Sequence, residues 1–117
     1  MGKSVLVLED EAIVAMDLAA ELEDAGWRVI GPAGSIAEAD RLIEVEMPDT
    51  AVLDVNLSGA QSFDLAARLR ARGCPVLFLT GYAEGSLPDH LSDTPIVSKP
   101  VDPSLLTRQL ASLSAPT

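Results

Sequence analysis

Five polar side chains stand at the ends of short apolar runs in this sequence, and together they could transfer a phosphoryl group to a carboxylate. They are Glu9, Asp10, Asp54, Thr80 and Lys99. A carboxylate can act as the nucleophile, and carboxylate oxygens are the ligands that Mg²⁺ prefers. An ammonium and a hydroxyl can hold the oxygens of the transferred group. The set therefore indicates phosphoryl transfer to an aspartate.

Asp54 is the best candidate for the nucleophile because of the stretch in which it lies. Uncharged residues 50–53 run into Asp54, with the turn signals Met47-Pro48-Asp49 before the run and Ser58-Gly59 after it. A short apolar run between turn signals predicts a buried central strand. Ligands collect at the carboxyl ends of strands in open α/β sheets. Taken alone, Asp54 could also be a helix-capping or turn carboxylate; the other strand-end residues favour the site.

Alternating strand and helix patterns predict the elements that position these side chains. Apolar runs predict five strands, at residues 4–8, 27–30, 50–54, 75–79 and 95–98. Helical spacing and capping signals predict helices after Glu9-Asp10-Glu11, from Ser35, over about 62–72 and after Asp102-Pro103. Residues 83–93 contain Gly85 and Pro88 and show little apolar periodicity, so a helix there would be short or irregular.

This alternation predicts an α/β fold of the flavodoxin-like type. The crossovers should be right-handed and the five-stranded sheet parallel and doubly wound, with helices on both faces. The default strand order for five such units is 2-1-3-4-5. All the polar strand ends then face one crevice. Carboxylates packed together there repel one another, which raises their pKa values unless a cation is present.

Composition narrows the class of protein. The chain has 117 residues, which suggests one domain over 1–117, with residues 114–117 expected to fray. Its net charge of −10, without a basic cluster, argues against binding to nucleic acid or to anionic membranes. The single cysteine, Cys74, allows no internal disulfide, and the first apolar run is too short for a signal peptide or a membrane span. We therefore expect a cytoplasmic protein.

The strand-end side chains also carry a resemblance to a known family. Over nearly its whole length the chain resembles the receiver domain of two-component response regulators. The matching positions are Glu9-Asp10 after the first strand, Asp54 after the third, Thr80-Gly81 after the fourth and Lys99-Pro100 after the fifth. The resemblance implies that Thr80 and Lys99 hold the phosphoryl oxygens. It also implies a Lys99–Pro100 bond that is often cis.

The resemblance assigns a Mg²⁺ site to the acidic residues. Asp54 would be the phosphoacceptor and Asp10 a direct ligand of the metal. The backbone carbonyl of Asn56 would complete the protein's share of the metal shell, and Glu9 would act mainly through water. Without the resemblance, a carboxylate such as Glu9 at the start of a helix is favourable in any case, and Thr80 could be only a helix N-cap.

One position departs from the family pattern. Receivers usually carry Tyr or Phe three residues before the lysine as a switch that reports phosphorylation, and Ile96 stands there instead. The run Phe78-Leu79-Thr80-Gly81 resembles the alphaproteobacterial subfamily named for its Phe-Ala-Thr-Gly motif, with Leu79 in place of Ala. Members of that subfamily often have a disordered fourth helix, which suits residues 83–93. Tyr82 is the candidate replacement for the switch, although a tyrosine on a loop needs no special role.

The resemblance implies a phosphoacceptor in a phosphorelay, with a histidine kinase or a histidine phosphotransfer protein as donor and an unknown protein as target. The domain would be an enzyme only toward the phosphorylation and dephosphorylation of its own aspartate. An adaptor that works without phosphorylation and a phosphate sink remain alternatives. A Mg²⁺-dependent phosphatase ranks last, because Asp54-Val55-Asn56 lacks a second carboxylate two residues on. The sequence permits both a stand-alone protein and one domain of a longer chain.

Overall fold

The computed structural model describes residues 3–57, 59–81 and 87–114. The strands are β1 (Ser4–Leu8), β2 (Arg28–Ala33), β3 (Thr50–Asp54), β4 (Asn56–Leu57), β5 (Ala60–Gln61), β6 (Val76–Thr80) and β7 (Ile96–Ser98). The helices are α1 (Ala12–Asp24), α2 (Ile36–Val45), α3 (Phe63–Ala71) and α4 (Pro103–Ser114), with a 3₁₀ turn at Asp89–Leu91. No helix in this part of the chain is long and apolar enough to cross a membrane.

The main sheet has five parallel strands in the order β2-β1-β3-β6-β7, and β3 is its central strand. Strands β4 and β5 form a separate antiparallel hairpin. Counted without that hairpin, the strand order is 2-1-3-4-5, so the predicted flavodoxin-like topology is confirmed. Every residue of β3 is buried, as expected for a central strand that is covered on both faces.

Two aliphatic layers hold the helices against the sheet. Alternate residues of β3 belong to different layers: Leu53 packs in the layer of α2 and α3, whereas Val52 packs in the layer of α1 and α4. This alternation follows from the two-residue period of a strand. Phe78 of β6 is fully buried and meets Phe63 edge to face, with ring centroids 5.8 Å apart. The burial of apolar surface on both faces is the main force that stabilises the fold.

Local capping signals in the sequence are realised in the structure. The Ser35 side chain accepts a hydrogen bond from the Glu38 amide at 3.1 Å and caps α2. The Glu38 carboxylate accepts a hydrogen bond from the Gly34 amide at 3.0 Å. Gly34 is one residue before the cap residue Ser35. Asp102 accepts from the Ser104 amide at 3.0 Å at the start of α4. Gly26, after α1, has a φ of 98°, a conformation that glycine adopts without strain.

Strand β2 corrects one predicted boundary. The sequence predicts an end at Ile30, before Gly31-Pro32, but the strand continues to Ala33, which pairs with Leu8 of β1. The register shifts between Leu6 and Leu8, because proline offers no amide to the ladder. Beyond the shift, Ala33 accepts a hydrogen bond from the Glu9 amide at 3.0 Å. This bond fixes the backbone at the end of β1.

The connection from β6 to β7 contains no α-helix within residues 87–95 of the structure, only the 3₁₀ turn. Leu91 of that turn is buried against the layer that includes α3. Arg70 of α3 donates to Asp93 at 3.0 and 3.2 Å and to the hydroxyl of Thr94 at 2.8 Å. Within the described part of residues 83–93, the 3₁₀ turn agrees with the expectation of a short or irregular helix, and Arg70 fastens it to α3; residues 83–86 lie outside the described residues.

A serine and an aspartate join two neighbouring strands at the amino end of the sheet. Asp49, just before β3, accepts from the Ser4 amide at 2.8 Å and from the Ser4 hydroxyl at 3.3 Å. The Asp49 amide donates to the same hydroxyl at 2.9 Å. Ser4 is buried at the start of β1, so these bonds satisfy polar groups that burial would otherwise leave unpaired.

Cys74 lies in the apolar layer beside α2 and α3, just before β6. Only 2% of its surface is exposed. Burial raises the pKa of the Cys74 thiol to about 11, and the nearby charge of Asp49 acts in the same direction. The thiol therefore stays protonated at neutral pH, as expected for a cysteine that serves to fill the core.

Candidate functional site

Polar side chains from the ends of three parallel strands meet at the carboxyl edge of the sheet. Glu9 follows β1, Asp54 is the last residue of β3 and Lys99 follows β7. The Lys99 ammonium lies 2.8 Å from Asp54 Oδ2 and 2.6 Å from Glu9 Oε1. Lys99 therefore bridges two carboxylates that neighbouring strands bring to the same place.

Asp10 adds a third carboxylate to this cluster. Glu9, Asp10 and Asp54 can each place an oxygen so that all three oxygens lie within 4.8 Å of one another. The side chains of Glu9 and Asp54 are almost fully buried, at 0% and 8% exposed, and Asp10 is the more accessible. Three carboxylates at this spacing form a dense negative site that a single ammonium does not neutralise, so the donor set suits a hard divalent cation.

Glu9 occupies the most buried position of the three. Its Oε2 accepts a hydrogen bond from the Glu11 amide at 3.0 Å. Its Oε1 touches the Lys99 ammonium without the alignment of a hydrogen bond, so it stays short of a directed partner. Burial raises the pKa of Glu9 above its ordinary value, although Lys99 and the Glu11 amide act to lower it. Glu9 therefore adds a second buried carboxylate beside Asp54.

The two carboxylates keep Lys99 charged. Burial alone would lower the pKa of its ammonium, but the hydrogen bond to Asp54 and the contact with Glu9 outweigh burial and raise that pKa above the ordinary value. A protonated lysine at this point is a donor that can hold an anionic oxygen.

The backbone around Asp54 is fixed by neighbouring elements. The buried Ser62, at the start of α3, donates its hydroxyl to the Asp54 carbonyl at 2.7 Å. The Val55 amide bonds the Leu79 carbonyl of β6 at 2.9 Å, and the Asn56 amide points at Asp54 Oδ1 from 3.4 Å. The sequence did not predict this role of Ser62, because its only signal there is a serine at the predicted start of a helix.

Thr80 and Lys99 lie on adjacent strand ends. Thr80 is buried at the end of β6, and its carbonyl accepts the Lys99 amide at 2.8 Å. The Lys99–Pro100 peptide bond is cis, as the family resemblance led us to expect. Ile96, which replaces the usual aromatic, is 39% exposed on the edge strand β7. Tyr82, the candidate switch, lies outside the described residues.

A surface groove of about 780 Å³ leads away from the cluster between α1 and the start of α4. Lys99 and Gly81 line it near the strand ends, and Glu11, Asp17 and Glu21 line it along α1. The groove therefore connects the strand ends with the acidic side of α1.

Comparison with known proteins agrees with this geometry. The profile of the response regulator receiver domain matches residues 5–111. SdrG from Sphingomonas melonis Fr1 is 33% identical, with a TM-score of 0.82 over 97% of this chain and 98% of SdrG. The receiver domain of PhyR from Erythrobacter litoralis is 25% identical, with a TM-score of 0.82 over 99% of this chain and 95% of that domain.

A longer protein is also similar. The transcriptional regulatory protein PdtaR of Mycobacterium tuberculosis is 32% identical over 102 residues, which are 86% of this chain and 50% of PdtaR. The chain thus spans about half the length of that relative. The family profile covers nearly all of the chain, and SdrG and the PhyR receiver domain share its overall fold. The chain belongs to the response regulator receiver domain family.

Proposed function

We propose that this receiver domain accepts a phosphoryl group on Asp54 from a phosphohistidine of a histidine kinase or of a histidine phosphotransfer protein. The observation that carries the proposal is the contact of 2.8 Å between the Asp54 carboxylate and the Lys99 ammonium, inside a cluster of carboxylates. This arrangement places a nucleophile beside a donor for the oxygens of the incoming group. The domain acts as one unit over residues 1–117, in the cytoplasm.

The chemical step uses side chains that the strand ends hold in place. A carboxylate oxygen of Asp54 forms a bond to phosphorus as the bond from phosphorus to the imidazole nitrogen breaks. The electron pair of that bond stays on the nitrogen, which takes a proton from solvent. Lys99 turns from the Asp54 carboxylate to an oxygen of the phosphoryl group, and the Thr80 hydroxyl donates to another.

The acidic cluster fits a divalent metal in this scheme. Asp10 and Asp54 would bind Mg²⁺ directly, the Asn56 carbonyl would add a third oxygen, and Glu9 would act through a bound water. The spacing of the Glu9, Asp10 and Asp54 oxygens, all within 4.8 Å of one another, supports this assignment. Bound Mg²⁺ supplies positive charge that offsets the carboxylates and the phosphoryl oxygens. Asp10, Asp54 and Asn56 would each bind the cation through an oxygen atom, the ligand type that Mg²⁺ prefers.

Labelling with a small phosphodonor tests the proposal. Acetyl phosphate with Mg²⁺ should add the mass of one phosphoryl group to the wild-type chain, and a chelator should suppress this addition. Asp54→Asn should take no label while keeping a wild-type circular dichroism spectrum. If the variant is labelled as fully as the wild type, Asp54 is not the acceptor. If the wild type takes no label, an adaptor that works without phosphorylation replaces the proposal.

We further assign the chain to the subfamily with the Phe-Ala-Thr-Gly motif and take Tyr82 as its switch. Support comes from Ile96, which cannot report phosphorylation by ring rotation, and from the run Phe78-Leu79-Thr80-Gly81, which matches the motif except at Leu79. The Thr80 hydroxyl would move toward the phosphoryl group and reposition Tyr82. Amide exchange over residues 82–93 should then slow when a beryllofluoride mimic binds. Tyr82→Ala should keep labelling at Asp54 but lose most of this protection, and an unchanged response would exclude Tyr82.

A further inference from the structure

The β4–β5 hairpin begins two residues after Asp54, and the mechanism above uses only its Asn56 carbonyl. Its register pairs Asn56 with Gln61 and Leu57 with Ala60. The Ser62 amide bonds the Val55 carbonyl at 3.1 Å, just outside the pair of Asn56 and Gln61. In an antiparallel ladder a pair flanked in this way is a non-hydrogen-bonded pair, the type in which side chains lie closest. Gln61 is therefore the immediate neighbour of Asn56.

The two faces of the hairpin have opposite character. On one face Leu57 is 5% exposed and packs in the apolar layer of α2 and α3, while Ala60, its partner in the hairpin, is exposed. Asn56 and Gln61 are both exposed, and they share the other face because successive residues of a strand alternate. Two carboxamides thus stand side by side on the solvent face of the hairpin.

The hairpin begins beside the Asp54 carboxylate. The backbone amide of Asn56 is 3.4 Å from Asp54 Oδ1, and the opposed Cβ atoms of a pair such as Asn56 and Gln61 are about 4.5–5.5 Å apart. Ser62, the residue after Gln61, donates its buried hydroxyl to the Asp54 carbonyl at 2.7 Å. Both ends of the hairpin are therefore tied to the backbone next to the Asp54 carboxylate. No hydrogen bond occupies the Gln61 carboxamide within the described residues.

We propose that Gln61 is a positioning residue for hydrolysis of the phosphoryl group on Asp54, and that it sets the lifetime of the phosphorylated state. The inference rests on the proposed function. The Gln61 oxygen accepts a hydrogen bond from the attacking water, and its NH₂ group donates to a phosphoryl oxygen. The water oxygen bonds to phosphorus as the bond between phosphorus and the Asp54 oxygen breaks. The electron pair returns to the carboxylate, and the water gives one proton to solvent and one to the released phosphate.

Decay of the labelled protein tests the role of Gln61. The wild type and Gln61→Leu are labelled with acetyl phosphate and Mg²⁺, the donor is removed, and the labelled fraction is followed by intact mass. Leucine keeps the bulk of the side chain but cannot hydrogen-bond. The variant should reach the same initial labelling but lose the label about fivefold more slowly, the factor that one ordinary hydrogen bond supplies.

A swapped variant supplies the matched control. The double substitution Ala60→Gln with Gln61→Ala keeps the composition but moves the carboxamide to the opposite face of the hairpin, so its label should also decay slowly. Equal thermal melting of all three proteins shows that the fold is intact. If either variant loses its label as fast as the wild type or faster, Gln61 does not have the proposed role. The proposal that Asp54 is the phosphoacceptor would still stand. A wild-type protein without label overturns the proposed function, and this inference falls with it.

Discussion

The central strand β3 is flanked by two aspartates in contrasting surroundings. Asp49, before the strand, is exposed, yet it bonds the amide and the hydroxyl of Ser4. Asp54, at the other end, has a side chain that is only 8% exposed and lies among two further carboxylates and one ammonium. The exposed aspartate has neutral donors as partners, whereas the buried one is surrounded by charges.

The contrast separates a stabilising carboxylate from a reactive one. Buried charges cost stability unless their partners compensate for lost hydration, and like charges nearby add to that cost. A buried cluster that holds more carboxylates than ammonium groups is therefore weak evidence for stability and good evidence for a site that binds cations or reacts. Asp49 is a stabilising carboxylate, because it accepts hydrogen bonds from the buried, uncharged donors of Ser4 and belongs to no cluster of three carboxylates in the described residues.

Labelling should separate the two aspartates completely. Asp49→Asn should be labelled by acetyl phosphate to the wild-type extent, whereas Asp54→Asn should take no label. The reason is position: only the carboxyl end of β3 faces Lys99 and the other carboxylates. Intact-mass measurement of both variants, prepared side by side, checks the outcome. Loss of label in a folded Asp49→Asn protein would show that the amino end of the strand contributes to the site.

The free energy of unfolding should depend on Asp49 more than on Asp54. Asp49→Ala should lower the free energy of unfolding by about 2 kcal/mol, because it removes hydrogen bonds to a charged acceptor from the buried Ser4. Asp54→Asn should leave the metal-free stability unchanged or raise it, since it removes one of the mutually repelling charges. Urea denaturation in chelator, with the exposed Asp17→Ala as a control, measures both. A large loss for Asp54→Asn would contradict the comparison.

Mg²⁺ should act only at the carboxyl end. A cation that binds the folded state alone at ten times its Kd stabilises the protein by about 1.4 kcal/mol. The melting temperature of the wild type and of Asp49→Ala should rise to a similar extent when millimolar Mg²⁺ is added. Asp10→Ala should lose most of this rise, because a direct ligand is missing. An equal rise in Asp10→Ala would count against a shared carboxylate site.

The serines beside the two aspartates offer the smallest test. Ser62→Ala removes one buried hydrogen bond to the Asp54 carbonyl and should cost about 1 kcal/mol of unfolding free energy. Because Ser62 also ties the β4–β5 hairpin to the site, its loss should change the decay of the label more than Ser4→Ala does. The reverse order in the decay measurement would show that the hairpin is held by other contacts.

Much of the fold could be predicted from the sequence because its signals are local. The apolar run before Asp54 predicted a buried central strand, and β3 is buried at every position. The Ser35 cap predicted the start of α2, which the structure confirms. Alternation of the two kinds of element predicted a parallel sheet, since crossovers in such folds have one hand, and the default order for five strand–helix units matched the observed one.

The features that the sequence analysis missed depend on distant partners. The β4–β5 hairpin has only two residues in each strand, too few for an alternating pattern to appear. Ala33 joins β2 only because Leu8 offers it a partner across a shifted register. The bonds of Arg70 to Asp93 and Thr94 join residues more than twenty positions apart, and nothing in the spacing of surface charges indicates such a pairing.

The buried Cys74 makes this domain convenient to study in solution. Thiol-reactive reagents attack the thiolate, and a pKa of about 11 together with 2% exposure keeps that form scarce and shielded while the chain is folded. A second cysteine placed on the exposed surface of α1 or α4 should therefore take a fluorophore or a spin label selectively, without replacement of Cys74. Under denaturant, the rate at which Cys74 itself becomes reactive reports how often the core opens.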